Sequence, residues 1–239
     1  TLISSMLNQN VPSDLLEKLI SVTPKDKPVA TRASSGTILQ KAAELVPSLY
    51  GGAADLAPST KTDIKGAPGF SPENRAGRNF HFGVRELGMG FIANGMALYG
   101  AAIAYSSTFF VFSDFMKPAI RLAAIQKLPV IYVFTHDSFY VGEDGPTHEP
   151  IEQLAMLRTI PGMTTIRPAE AFECAHAWAA AIEADAPVAL ILTRQDLKPY
   201  SPEAAAKIDI EKGAYVISED HGYDLLFIAT GSEVNLALE

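Results

Sequence analysis

Apolar and polar positions along this chain fall into a repeating block pattern. Short apolar runs at 49–53 (LYGGA), 79–82 (NFHF), 101–105 (AAIAY), 130–135 (VIYVFT), 163–167 (MTTIR) and 188–193 (VALILT) read as strands. Between them, segments 37–45, 85–99, 109–124 and 169–184 carry apolar residues at helical spacing, with Pro118 kinking or breaking the third. The 130–135 run is apolar throughout, as expected of a strand buried on both faces. Strands alternating with helices at this spacing predict an α/β fold, a parallel sheet with helices on both faces.

The flanks follow a different pattern. Residues 1–23 read as a connector, with Ser13 as N-cap of a short helix whose apolar face is Leu15, Leu16, Leu19 and Ile20. A polar hinge, PKDKP, occupies 24–28, and Thr31 to Gly36 lead into the 37–45 helix. Residues 198–208, with Pro199, Ser201 and Pro202, read as a linker. Segments 213–218 and 225–229 then read as strands of a second α/β unit, and Thr230-Gly231-Ser232 opens its first helix. The expected division is 1–23 connector, 24–200 main domain, and 201–239 linker plus a truncated second unit. A start at Thr1 and an end at Glu239, inside a helical pattern, suggest a piece of a longer polypeptide.

Composition narrows the function classes. With 239 residues, 48% of them hydrophobic, the chain can build one good core. A formal net charge of -8 and no basic run speak against nucleic acid. An anionic substrate would need local Arg and His. Cys174, the single cysteine, lies in an apolar helical pattern and reads as a small buried residue. No disulfide can form within the chain, which fits a reducing cytoplasm. No signal peptide or membrane-spanning run is seen.

The chemistry concentrates in the loop at 136–150, HDSFYVGEDGPTHEP. In a parallel α/β sheet such a loop lies beyond a strand's carboxyl end, where ligands bind. His136, Asp144 and His148 are acceptable metal ligands, but their spacing matches no common zinc signature. Histidines satisfied within a rigid loop are the structural reading. Recognition of a hydroxylated or phosphorylated ligand is the third, since His donates to phosphate or hydroxyl and Asp accepts from hydroxyl. Glu86 opens a nearly all-apolar helix among Gly83, Gly88 and Gly90. A carboxylate there is ordinary for a first helical turn, and its partial desolvation also suits proton transfer. Phe109, Phe112 and Phe115 are spaced as one helical stripe, which is either core or a stacking pocket for a flat heterocycle. Arg32, Ser59 and Arg194 sit at strand ends or loops where they can serve phosphate, or, for the arginines, a surface salt bridge.

Together TRASSG, GGAADLAPST, FHFGVRELGMG, YSSTFFVF, THDSFYVGEDGPTHEP and LTRQDL resemble the transketolase family, thiamine diphosphate enzymes, from about residue 24 to 199. FIATGSEVNLALE is similar to the start of the family's next domain. The resemblance implies the thiamine-diphosphate-binding fold, pyrimidine module. It implies that Glu86 bonds the aminopyrimidine ring and promotes its imino tautomer, and that Phe109, Phe112 and Phe115 hold that ring. Relatives often carry tyrosine at the third position. His148 would lie near the cofactor amino group and the donor's reacting end, and Asp144 would bind a substrate hydroxyl. Arg32, Ser59, His136 and Arg194 would form a sugar-phosphate clamp. Asp55 would lie close to the thiazolium and the subunit interface. The implied reaction moves a two-carbon ketol unit from a ketose phosphate to an aldose phosphate.

One departure is large. The family holds the diphosphate and its Mg2+ or Ca2+ through a Gly-Asp-Gly motif in an N-terminal domain, and that motif is absent here. The resemblance then implies a chain that is inert alone and works in a homodimer with that domain present. Other thiamine enzymes are competing readings, namely deoxyxylulose phosphate synthase, a 2-oxoacid dehydrogenase subunit and dihydroxyacetone synthase. The clamp residues and full loop disfavour the first two, and His148 the third. A split transketolase and a non-catalytic fragment or interaction subunit are the remaining alternatives.

Overall fold

The computed structural model describes residues 2–219, 222 and 224–239. Thr1, Asp220, His221 and Tyr223 of the flanking segments lie outside the described residues. In chain order the elements are α1 (Leu2–Leu7), α2 (Leu15–Ser21), β1 (Val29–Ala30), α3 (Thr31–Leu45), β2 (Leu49–Ala53), α4 (Ala57–Thr60), β3 (Asn79–His81), α5 (Glu86–Tyr99) and β4 (Ile103–Phe109). A 3-10 turn (Phe110–Phe112) leads into α6 (Ser113–Gln126), β5 (Val130–Thr135), α7 (Gln153–Arg158), β6 (Thr164–Ile166), α8 (Ala171–Glu183), β7 (Val188–Leu192) and β8 (Asp196–Leu197). Helix α9 (Pro202–Ala205), a second 3-10 turn (Ile210–Lys212) and α10 (Glu233–Ala237) complete the chain.

Six strands form one parallel sheet in the order β3-β2-β4-β5-β7-β6. Side chains alternate across it. Ile131 and Val133 of β5 and Leu190 and Leu192 of β7 join Ile38, Leu39 and Trp178 of α3 and α8 in one core layer. Tyr132 and Phe134, with Ile191, join Met89, Met116 and Ile120 of α5 and α6 in the other. That two-sided burial explains why β5 is apolar at every position before Thr135. Cys174 is fully buried, as expected of a small core residue. Among the described residues no helix is long and apolar enough to cross a membrane.

The predicted α/β architecture is the observed one, with local differences. Helix α3 begins at Thr31, six residues before the expected start at Thr37. Its first turn is held from outside: Thr31 N donates to Thr193 Oγ1 at 3.0 Å and Thr193 N donates to Thr31 Oγ1 at 2.7 Å. Asp14, not Ser13, precedes α2. β4 runs on to Phe109, where a helix was expected to begin. Pro118 lies inside α6 without ending it. The expected 198–208 linker contains α9. Segments 213–218 and 225–229 are not strands; Leu225, Leu226, Phe227 and Ile228 are exposed, and among the described residues no strand pairs with them. A strand's backbone needs a partner, and apolar content alone does not supply one.

The Gly51-Gly52 pair in β2 is a packing requirement. A Cβ at Gly52 would meet Phe80 O at 1.9 Å, and one at Gly51 would meet Tyr105 O at 2.1 Å. Both obstacles are backbone of neighbouring strands, which cannot rotate away. Gly52→Ala is therefore expected to lower stability by about 2 kcal/mol through overpacking. Urea denaturation checks this: the midpoint should fall at unchanged slope, and an unmoved midpoint would show that β2 and β3 part without cost.

Candidate active site

A parallel sheet ends all its strands on one edge, and every candidate residue but one is reached from that edge. Asp55 and Ser59 follow β2, and Glu86 follows β3 as the first residue of α5. Phe109 is the last residue of β4, Phe112 lies in the 3-10 turn and Phe115 in the first turn of α6. His136, Asp144 and His148 follow β5, and Arg194 follows β7. Arg32, in the first turn of α3, joins them through the Thr31–Thr193 exchange, aided by Arg32 N donating to Thr193 O at 3.3 Å.

Arg32, Ser59, His136 and Arg194 make a cationic pocket. Arg32 Nη1 donates to Ser59 O at 2.8 Å. Burial holds the Arg32 pKa below its usual value, and the charge of Arg194 pushes the same way. Arg194 Nη2 lies 3.8 Å from Glu143 Oε2, an exposed pair worth little. His136 is 4% exposed, adopts φ 61°, and pairs Nδ1 with Thr135 Oγ1 at 2.9 Å. Its pKa is held down to about 3, first by desolvation, then by Arg32, Arg194 and His148. The ring is thus neutral near pH 7, and the pocket's positive charge belongs to the two arginines. Asp144 is exposed, and its charge acts on Arg32. His148 is half-buried, with Nδ1 paired to Thr147 Oγ1 at 2.8 Å.

Beside this pocket runs an aromatic ladder. Phe109 and Phe112 stack with centroids 6.2 Å apart and planes 5° from parallel. Phe112 and Phe115 follow at 6.0 Å and 25°. The rings do stack, yet they are not a stripe on one helix: they come from a strand end, a turn and a helix start. The ladder climbs from buried Phe109 to Phe115, which is 60% exposed. His136 lies on Phe109 at 3.7 Å, and His148 stands edge-on to Phe112 at 5.3 Å. Glu86 is buried, and among the described residues its carboxylate makes no hydrogen bond. Asp55, at φ 64°, is exposed at the same edge.

These groups fit part of a cofactor. An aromatic ladder ending in the exposed Phe115 ring, with a buried acceptor, suits a flat nitrogen heterocycle with an N–H. Among the described residues no group of three or more His, Cys, Asp or Glu is arranged to hold a metal ion. Residues outside the expected set hold the site in place. Gln153 Nε2 donates to both Asp114 carboxylate oxygens at 3.1 and 3.0 Å, tying the loop's end to the start of α6. Asp137, next to His136, is buried against Arg167. The Thr-Arg dipeptide repeated at 31–32 and 193–194 is the one sequence signal that could have pointed to the threonine exchange; the other two contacts have none.

Comparison with known proteins gives a consistent family. The model for the transketolase pyrimidine binding domain matches residues 27–199. The chain is 52% identical to the transketolase of Halalkalibacterium halodurans, over 99% of this chain and 36% of that protein. It is 53% identical to that of Geobacillus stearothermophilus, over 93% of this chain and 34% of that protein. It therefore spans about a third of the length of these curated relatives. A transketolase mutant of Pichia stipitis, solved in complex with xylulose-5-phosphate, superposes with a TM-score of 0.91 at 38% identity, covering 99% of this chain and 36% of that one. A split gene transketolase, described as an inactive beta4 tetramer, superposes with a TM-score of 0.61 at 31% identity, over 74% of this chain and 56% of that one.

The state of His136 is directly measurable. Its folded pKa lies below the unfolded value, so the unfolded chain binds the extra proton. Stability is lost as pH falls from about 6.5 toward 3 and is fully present above that window. In an NMR titration, the His136 ring signals should show no inflection between about pH 5 and 8, and Arg194→Ala should move its pKa upward. A midpoint near 6.5 in the unmodified chain would contradict the buried, cation-flanked ring.

Proposed function

Because this chain belongs to the transketolase family, whose members depend on thiamine diphosphate, we propose that it is the part of a transketolase that holds the cofactor's pyrimidine ring and the sugar substrates. In this reading, residues 24–200 are the pyrimidine-binding domain. Residues 1–23 connect it to an N-terminal diphosphate-binding domain, and 201–239 are a linker and the truncated start of a C-terminal domain. The carrying observation is the His136 ring lying on Phe109 at 3.7 Å, which joins the anion pocket to the aromatic ladder. A group stacked on the ladder and a phosphate in the pocket would then belong to one reaction site.

Thiamine diphosphate, when bound, supplies the nucleophilic carbon that carries a two-carbon ketol unit from a ketose phosphate to an aldose phosphate. The protein's own contribution is binding, orientation and proton handling. Glu86 accepts the pyrimidine N–H; inside a water-poor slot that charge-assisted bond is strong. Phe109, Phe112 and Phe115 fix the ring plane. Arg32, Arg194, the Ser59 hydroxyl and a neutral His136 take the phosphate; the arginines give charge and the other two give hydrogen bonds. Asp144 accepts from a substrate hydroxyl. His148, its Nδ1 occupied by Thr147, offers Nε2 at the reacting end. Asp55 stands near the cofactor and a subunit boundary.

The remaining parts lie on other protein. Mg2+ or Ca2+ and the diphosphate would be bound by residues outside this chain. Homodimerisation is supported by α5, whose outer face shows Leu87, Phe91, Ile92, Leu98 and Tyr99 around Gly88 and Gly95. An exposed apolar stripe of this kind marks an interface. The chain alone is read as inactive, a reading supported by the split gene neighbour described as inactive. The cytoplasm is the proposed location, from the lone buried thiol.

Calorimetry with thiamine diphosphate and magnesium tests the incomplete site: the chain alone should give no tight, metal-dependent binding, and such binding would overturn the division of labour. In a full-length enzyme carrying this segment, Glu86→Gln should cut turnover by roughly 10²–10⁴-fold while the fold persists by circular dichroism. Unchanged turnover would remove Glu86 from proton handling.

A further inference from the structure

We propose that Arg167 is a positioning residue through which the C-terminal unit locks the start of the sugar-binding loop. This rests on the function proposed above only for what the loop binds; the lock itself stands on geometry. Asp137 directly follows His136, and its side chain is fully buried. Arg167 Nε donates to Asp137 Oδ2 at 2.8 Å, and Nη2 lies 2.7 Å from the same oxygen as an ion pair. The second oxygen, Oδ1, is buried with no hydrogen-bond partner. Among the described residues Arg167 is the only ion-pair partner that Asp137 has.

The other side of the same guanidinium grips the C-terminal unit. Nη1 donates to Thr230 O at 2.9 Å and to the Glu233 carboxylate, and Nη2 donates to Ser232 Oγ at 3.2 Å. Gly231 lies against it: a Cβ there would fall 2.7 Å from Arg167 Cγ and Nε. Two more contacts seat the unit on the β6–α8 turn that carries Arg167 and on the first turn of α8. Asn235 Nδ2 donates to Ala169 O at 3.3 Å, and Tyr215 Oη donates to Glu173 Oε1 at 2.6 Å.

One rigid, planar fork thus spans the loop and the unit, and neither can shift without moving it. Loosening it leaves the Asp137 carboxylate buried without compensation, so the group must either take up a proton or reach water. Reaching water moves the backbone at 137. His136 is the next residue, held at φ 61° with its ring on Phe109, so it moves too. A simple tether would hold the C-terminal unit without this effect on His136.

The test uses the isotopically labelled chain and NMR of two rings. The His136 imidazole reports the loop. The Trp178 indole, bonded to Ser35 Oγ at 2.8 Å in the α3–α8 core, reports the fold. Gly231→Ala wedges a methyl against Arg167 from outside the main domain, and Arg167→Met removes the fork. Both should displace the His136 signals while the Trp178 line stays, and Arg167→Lys should displace them less. If Arg167→Met loses the Trp178 line by unfolding, Gly231→Ala decides. A folded Gly231→Ala chain with unmoved His136 signals, its changes confined to residues 230–237, overturns the lock. In the full-length enzyme, Gly231→Ala should raise KM for phosphorylated sugars on the order of 10-fold with kcat retained. A moved His136 with unchanged KM would overturn the sugar-binding role of the loop and leave the lock standing.

Discussion

Parallel pairing of six strands is the constraint on which the rest of this molecule depends. β4 and β5 pair from Ala104 with Val130 to Phe109 with Thr135, so Phe109 and the residue before His136 finish side by side. Because all six strands of this sheet run the same way, the crossovers must pass over the two faces, which buries both. The backbone then leaves every strand on one edge. Loops that would be scattered in an antiparallel sheet are gathered here, and the ladder, the cationic pocket and Glu86 are consequences of that gathering.

Gathering alone would not hold like charges together. Arg32 and Arg194 repel; burial first, and the charge of Arg194 second, lower the preference of Arg32 for its charged form. The hydrogen bonds exchanged between Thr31 and Thr193 set that geometry before any ligand arrives. The repulsion is thus part of the site's readiness for an anion, since a phosphate relieves it. A net charge of -8 makes this local arrangement necessary, because the field of the whole chain favours no anion. Neutral His136 fits the same logic: a third cation would add repulsion, whereas an uncharged ring adds a hydrogen bond.

How much was legible in the sequence follows from where each signal lives. β2 and β5 were readable to the residue because two-sided burial and short length leave uniform apolar runs. The start of α3 was missed because its first turn is held by Thr193, a partner 162 residues away. The phenylalanine spacing correctly suggested stacked rings and wrongly suggested one helix, since β4 continues through Thr108 to Phe109. Segments 213–218 and 225–229 have strand composition without a strand partner, and composition cannot reveal that. The candidate site residues were legible largely through family motifs. Asp137, Arg167 and Gln153 hold those residues in place, yet a buried ion pair or amide bridge between distant segments leaves no periodicity to read.

Helix α5 shows how the open parts of the structure relate to one another. Its inner stripe, Met89, Ala93 and Ala97, is sealed against the sheet and α6. Its outer stripe is apolar and exposed, and its first residue is Glu86. A helix of 14 residues is about 21 Å long, so anything that packs along the outer stripe passes close to the carboxylate at its start. Burying several of those side chains is worth about 1.5–3 kcal/mol each. Association along α5 would therefore carry a large favourable term, because the surface that is a liability in the lone chain is the surface it would cover.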